Sequence, residues 1–203
     1  MGKHEITRRA VFLDRDGVLN RPLLRDGRPC APAAVEEFDL YDDAVSGCRR
    51  LKEAGFLLVV VSNQPDVGRG RQNRATAEAI NKRLVKAIPL LDRIEICFHA
   101  GEDYGDVCDC RKPKPGMLLR AAAVLEIDIA SSYMIGDRWR DVDCARAAGC
   151  HATFIDRGYA EPLRQQPDVT VTTFGDAVTA VLHAAGAESF CLELPARFSP
   201  NIE

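Results

Sequence analysis

Two aspartates, Asp14 and Asp16, follow directly on an apolar run in the segment AVFLDRDGVLN. Carboxylates aimed at one spot from the end of a strand can ligate a cation, attack an electrophile or move a proton. Reactive side chains recur in three more places: Ser62 and Asn63 in SNQ, Arg111, Lys112 and Lys114 in CRKPKPG, and Asp137 with Asp141 in GDRWRD. Gathered at one edge, carboxylates repel one another unless they are protonated or share a cation. A hard ion such as Mg2+ answers that need, held by carboxylates, waters and a phosphate oxygen. A lysine and a serine beside it suit the equatorial oxygens of a phosphoryl group, where catalysis is mostly positioning and charge neutralisation. One carboxylate can attack phosphorus and later be freed by water. A second, two residues on, can protonate the leaving alkoxide. Each motif alone also has a plainer reading: D-x-D-G as a turn, Ser62 as a helix N-cap, Asp141 as the cap of its helix, and Lys114 as a solvated cation.

Such a gathering needs strands that end side by side. Apolar, β-branched runs predict strands over 10–13, 57–61, 94–98, 133–135, 152–155 and 169–172. They alternate with helical patterns over 44–54, 73–88, 116–125, 141–148 and 174–184. In the second helix Ala77, Ile80, Leu84 and Ile88 form one buried stripe. Gly55 and Gly149 stand where helix C-caps belong. Near-continuous apolar strands interleaved with helices predict an α/β fold, a three-layer Rossmann-like parallel sheet with helices on both faces. Ligands of such sheets sit at the carboxyl ends of the strands, where these motifs fall. Residues 1–185 read as one domain, and 186–203 as a tail that is either a docked strap or a loose end.

Of eight cysteines, Cys30, Cys48, Cys144, Cys150 and Cys191 are scattered, while Cys97, Cys108 and Cys110 cluster around His99. The pattern is C-x-H, eight residues, then C-x-C. Three thiolates and an imidazole make a closed tetrahedral set, the mark of structural Zn2+. The plainer alternative is a pair of buried or redox cysteines. A chain of 203 residues with 46% hydrophobic residues has no need of disulfides.

Composition narrows the partners. A net charge of −3 and a pI near 5.9 leave no basic stripe for nucleic acid. No apolar run approaches the roughly 18 residues of a membrane span. The N-terminus MGKHEITRRA lacks the apolar segment of a secretory signal, and Ile6 stands where a myristoylation motif wants Ser or Thr. The expectation is a cytoplasmic monomer acting on a small molecule.

With four motifs in this order, DRDGVLN, SNQ, RKPKPG and GDRWRD, the chain resembles the haloacid-dehalogenase-like phosphohydrolases over about residues 8–184. The resemblance implies Asp14 as nucleophile and Asp16 as general acid/base, its backbone carbonyl also meeting Mg2+. It implies Ser62 and Lys112 as holders of the phosphoryl oxygens and Asp14 with Asp137 as metal ligands. Asp141 becomes an acid that orients Lys112, or remains only a helix cap. The cysteine loop is similar to the zinc loop of one branch, the phosphatases of D-glycero-D-manno-heptose 1,7-bisphosphate and of histidinol phosphate. There zinc would pin the loop just ahead of Arg111 and Lys112 rather than do chemistry. Many members of the superfamily carry an inserted cap, but 17–55 and 63–93 leave no room for one, so the site should be open. Arg69 in GRGR, Arg111 and Asn63 would then read the rest of a sugar phosphate. DRDGVLN and CDCRKPKPGM look closer to the heptose enzymes, although Pro65–Asp66 replaces the small Ser-Gly pair of their second motif. The expected activity is Mg2+-dependent removal of the C7 phosphate of heptose 1,7-bisphosphate through an aspartyl-phosphate. Two alternatives stand beside it: a histidinol-phosphate phosphatase, and a zinc-stapled module that binds a sugar phosphate without turnover.

Overall fold

The structure is a computed structural model and describes residues 8–25 and 28–187. Six strands form one parallel sheet: β1 (Ala10–Leu13), β4 (Leu57–Asn63), β5 (Arg93–Cys97), β6 (Tyr133–Gly136), β7 (His151–Ile155) and β8 (Val169–Val171). Their spatial order is β5-β4-β1-β6-β7-β8. A separate antiparallel pair, β2 (Leu23–Arg25) and β3 (Arg28–Cys30), branches off after β1.

Side chains alternate between the faces of a strand, so both faces need apolar residues if both are covered. Val11, Leu13, Leu58 and Val60 point to one face, with α1 (Ala44–Glu53), α3 (Arg74–Ala87) and α6 (Phe174–Ala184). Ala10, Phe12, Val59 and Val61 point to the other, with α4 (Gly116–Leu125) and α5 (Trp139–Ala148). This two-sided burial is the physical reason the strands read as continuous apolar runs. Each such Leu, Val or Phe contributes about 1.5–3 kcal/mol relative to an exposed position. In α3, Ala77, Ile80 and Leu84 are buried, as the stripe predicts.

The sheet order reverses at β1, which lies between β4 and β6. Leu13 pairs with Val60 on one side and with Ile135 on the other. The register therefore brings the residues after β1, β4 and β6 out at one level, the usual place for a ligand. On the outer side Asn63 pairs with Cys97, which ties the start of the cysteine loop to the second motif.

The structure departs from the sequence reading in three local ways. Residues 17–43 hold the β2–β3 hairpin and a 3-10 turn at Val35–Glu37, where only loop was expected. The strands of this hairpin are three residues long and contain Pro29, too short to show an alternating pattern. A short helix, α2 (Pro65–Gly68), follows β4, with Pro65 at its first position. Helix α5 starts at Trp139, so Asp141 is its third residue and not its cap. No inserted cap domain occurs among the described residues, and none of their helices is long and apolar enough to cross a membrane. The proposed tail lies outside the described residues from 188 onward.

Candidate active site

Every expected phosphate-site and rim residue lines one cleft of about 850 Å³: Asp14, Asp16, Ser62, Asn63, Arg69, Arg111, Lys112, Asp137 and Asp141. At its floor Lys112 is almost fully buried. Its Nζ lies 3.0 Å from Asp14 Oδ1 and 2.6 Å from Asp141 Oδ1, and donates to the Val61 carbonyl at 2.8 Å. Asp141 works from the third position of α5. Its Oδ2 accepts the Arg138 backbone N–H at 3.0 Å at the start of α5, while Oδ1 meets the lysine. Asp14 Oδ1 also accepts the Arg15 backbone N–H at 2.7 Å, which anchors the carboxylate to its own turn.

Asp137 presses against Gly17, whose φ is +90°. A Cβ at Gly17 would stand 1.7 Å from Asp137 Oδ2, so only glycine both makes the turn and leaves space for the carboxylate. Asp137 Oδ1 is buried with no hydrogen-bond partner. Oxygens of Asp14, Asp137 and Asp141 lie within 4.8 Å of one another. Burial pushes the Asp14 carboxyl up to about 7; Lys112 opposes this, and Asp141 and Asp16 add to it. Burial, then Asp14 and Asp141, likewise hold Asp137 well above the usual carboxylate range. Burial works against the charge on Lys112, but Asp14 and Asp141 outweigh it and raise its pKa. One lysine cannot neutralise three buried carboxylates. An all-oxygen donor set with an unsatisfied buried oxygen fits a hard divalent cation such as Mg2+.

The Asp16 side chain belongs to a different network. Its Oδ2 accepts from Arg15 Nη2 at 2.9 Å and Gln64 Nε2 at 2.7 Å, and its Oδ1 from Asn20 Nδ2 at 3.0 Å. Gln64 Nε2 also reaches Ser62 Oγ, at 2.9 Å. Asn63, expected against the substrate, makes reciprocal bonds with the main chain of Lys112, both at 3.0 Å. Arg15 and Gln64 escaped the sequence reading although both stand inside its motifs. The available signal was an arginine and a glutamine wedged between catalytic-type residues at strand ends.

The rim is cationic. Arg69 donates to the Ala100 carbonyl at 3.0 Å and lies over the Tyr104 ring, and Arg111 reaches the His99 carbonyl at 3.4 Å. The loop after β7 adds Tyr159 and Glu161, which the sequence reading missed. Burial and the nearby Asp137 carboxylate hold the Tyr159 phenol above its ordinary range, and Glu161 pairs with Arg138. Both follow a strand that ends at the same edge, a signal as good as those that were used.

Beside the cleft, the four expected zinc ligands converge. Cys97 Sγ lies 3.5 Å from His99 Nδ1 and 3.7 Å from Cys108 Sγ. Cys110 Sγ lies 3.3 Å from His99 Nδ1 and 3.4 Å from Cys108 Sγ. Zn–S bonds of ~2.3 Å and Zn–N bonds of ~2.0–2.1 Å put tetrahedral neighbours ~3.5–3.8 Å apart, so the spacings suit that ion and are far too long for a disulfide. Burial raises the Cys97 thiol, the more so beside Cys110. Gly68 lets α2 approach this loop: a Cβ there would stand 2.4 Å from the Phe98 carbonyl oxygen.

The chain is similar to several known proteins. The HAD-hydrolase-like family model matches residues 109–177. The D-glycero-beta-D-manno-heptose-1,7-bisphosphate 7-phosphatase of Escherichia coli (strain K12) is 40% identical over 147 residues, 68% of this chain and 74% of that protein. The protein of the same name from Vibrio cholerae is 33% identical over 184 residues, 86% of this chain and 94% of its own. Among solved structures, the D,D-heptose 1,7-bisphosphate phosphatase from B. bronchiseptica, complexed with magnesium and phosphate, matches with a TM-score of 0.73. It is 28% identical, and the match covers 87% of this chain and 99% of that one.

Proposed function

The chain belongs to the haloacid-dehalogenase-like phosphatases, and we propose that within that family it removes the C7 phosphate of D-glycero-D-manno-heptose 1,7-bisphosphate. The observation that carries the reading is the over-acidic centre of Asp14, Asp137 and Asp141 around one lysine, in a chain that matches a 7-phosphatase over 86% of its length.

The Asp14 carboxylate attacks the phosphorus of the C7 ester, and the P–O bond to carbon 7 breaks with its electron pair on the leaving oxygen. Asp16 gives that oxygen a proton. It then takes a proton from the water that attacks the phosphoryl-Asp14, which frees inorganic phosphate and restores the carboxylate. Lys112 and Ser62 hold the non-bridging oxygens, and Asp141 keeps the lysine aimed at Asp14. Asp14, Asp137 and the Asp16 carbonyl would hold Mg2+, which would supply positive charge for the phosphoryl oxygens and favour the ionised Asp14 carboxylate. Cys97, His99, Cys108 and Cys110 would hold Zn2+, which would fix the loop from which Arg111 and Lys112 emerge. Arg69 and Arg111 receive the phosphate at carbon 1, where a guanidinium fork suits a second anion.

The test is a comparison of kcat/KM for α- and β-heptose 1,7-bisphosphate, histidinol phosphate and fructose 1,6-bisphosphate, with Mg2+ present. A heptose bisphosphate should lead the panel. A lead for histidinol phosphate overturns the substrate. Binding without phosphate release from any of the four overturns the enzymatic reading.

A further inference from the structure

Arg15 is the largest fully buried side chain among the described residues. A guanidinium is costly to bury unless its donors are spent on partners. Here Nη2 and Nε approach Asp16 at 2.9 and 3.3 Å, and Nη1 donates to Asn81 Oδ1 on α3 at 2.7 Å. The fork is thus fixed to a helix on one side and to Asp16 on the other. The Asp16 side chain is 16% exposed, open toward the cleft. From the protein side its further supports are Asn20, whose Nδ2 donates to Asp16 Oδ1 at 3.0 Å, and Gln64, whose single amide nitrogen meets Asp16 Oδ2 and Ser62 Oγ together.

We propose that Arg15 and Gln64 are positioning residues that lock the Asp16 carboxylate at a set distance and angle from Ser62. Ser62 holds the phosphoryl group, so the amide shared with Asp16 ties the proton donor to the position of the ester it must serve. Arg15 transmits the rigidity of α3 through Asn81 and prevents rotation of the carboxylate about its own side-chain torsions. The inference rests on Asp16 as proton donor in the function proposed above.

Leaving-group dependence separates this role from a merely structural one. A 4-nitrophenolate departs without a proton, whereas a sugar alkoxide needs one. The experiment measures kcat/KM of the full chain with Mg2+ for 4-nitrophenyl phosphate and for fructose 1,6-bisphosphate, in Arg15→Lys, Gln64→Leu, Asn81→Ala and Asp16→Asn. Misplacing an acid forfeits part of the roughly 10²–10⁴-fold it contributes. Arg15→Lys and Gln64→Leu should therefore lose about 30–100-fold on the sugar ester and less than about fivefold on the aryl ester. Asn81→Ala, which leaves the cleft untouched, should show the same skew at about 3–10-fold. If Arg15→Lys fails to fold, Gln64→Leu and Asn81→Ala decide the matter. Equal losses on both esters, or none, in these variants overturn the proposal when Asp16→Asn itself shows the skew. Absence of the skew in Asp16→Asn overturns the role of Asp16 and the positioning claim with it.

Discussion

The two metal-suited clusters of this chain lie side by side but are built in different ways. Asp14 and Asp137 issue from the ends of neighbouring strands, and Asp141 from the first turn of α5. The sheet register and the first turn of α5 place them, at the cost of buried carboxylate repulsion. The Cys/His cluster has only Cys97 on a strand; His99, Cys108 and Cys110 ride on the loop that follows. Its backbone is held by few ladder bonds, such as Gln64 N–H to the Cys97 carbonyl at 2.7 Å. A cation would therefore have opposite tasks in the two places, if both sites bind the ions proposed above. In the first it would relieve charge in a frame set by the sheet; in the second it would supply much of the frame.

The comparison can be broken by substitution. Asp14→Asn removes the proposed nucleophile and should lower turnover by about 10³-fold or more while leaving the fold intact, because it also removes a repelling charge. A purified Asp14→Asn protein with near-parent phosphate release would sink the first half of the contrast. Lys112→Met should cost both activity, by about 10²-fold or more, and stability, by about 3–5 kcal/mol, since it strips the counter-charge from buried Asp14 and Asp141. Denaturant melts and phosphate release measured on one preparation check the two losses together. Saturating Mg2+ should restore part of the stability.

Loss of the second cluster should look different. Cys108→Ala, or removal of zinc by a chelator, is expected to raise KM about 10-fold with a smaller change in kcat, and to lower the melting temperature by several degrees. Equal melting temperatures with and without bound zinc would remove the distinction drawn here.

The smallest expected effect sharpens the contrast by pH. The Asp14 carboxyl is raised to about 7 from 3.8 in the unfolded chain. The folded, metal-free chain thus binds a proton more tightly than the unfolded one. Its penalty is full above pH 7 and fades as the pH falls toward 4. Metal-free protein should melt higher at pH 6 than at pH 8, by about 3–6 °C, since a folded pKa near 7 makes about 1.4 kcal/mol of difference between these pH values and each kcal/mol is worth about 2–4 °C at this size. Added Mg2+ should close the gap. Thermal scans at the two pH values, with and without the ion, read it directly; a reversed order would mean that Asp14 is not the group in control.

Much of this was legible in the chain. Burial on both sheet faces forces continuous apolar strands, so all six parallel strands announced themselves. The hairpin after β1 did not, because three-residue strands carry no period. The site motifs were legible because strand ends converge in any parallel sheet, and the cysteine set because thiol and imidazole spacing has few other uses. Tyr159 and Glu161 were overlooked at an edge that was already known to matter.

What the residues alone determine is local and periodic: which segments are strands and helices, which side chains leave the strand ends, and which cysteines share a loop. What only the folded chain decides is partnership. That Asp141 holds Lys112, that Asn63 grips the lysine's main chain, and that Arg15 reaches Asn81 are long-range pairings. They join residues distant in sequence through directional bonds of about 3 Å. No composition or spacing encodes such distances; they follow from the register of β1 between β4 and β6 and from the helices packed over them.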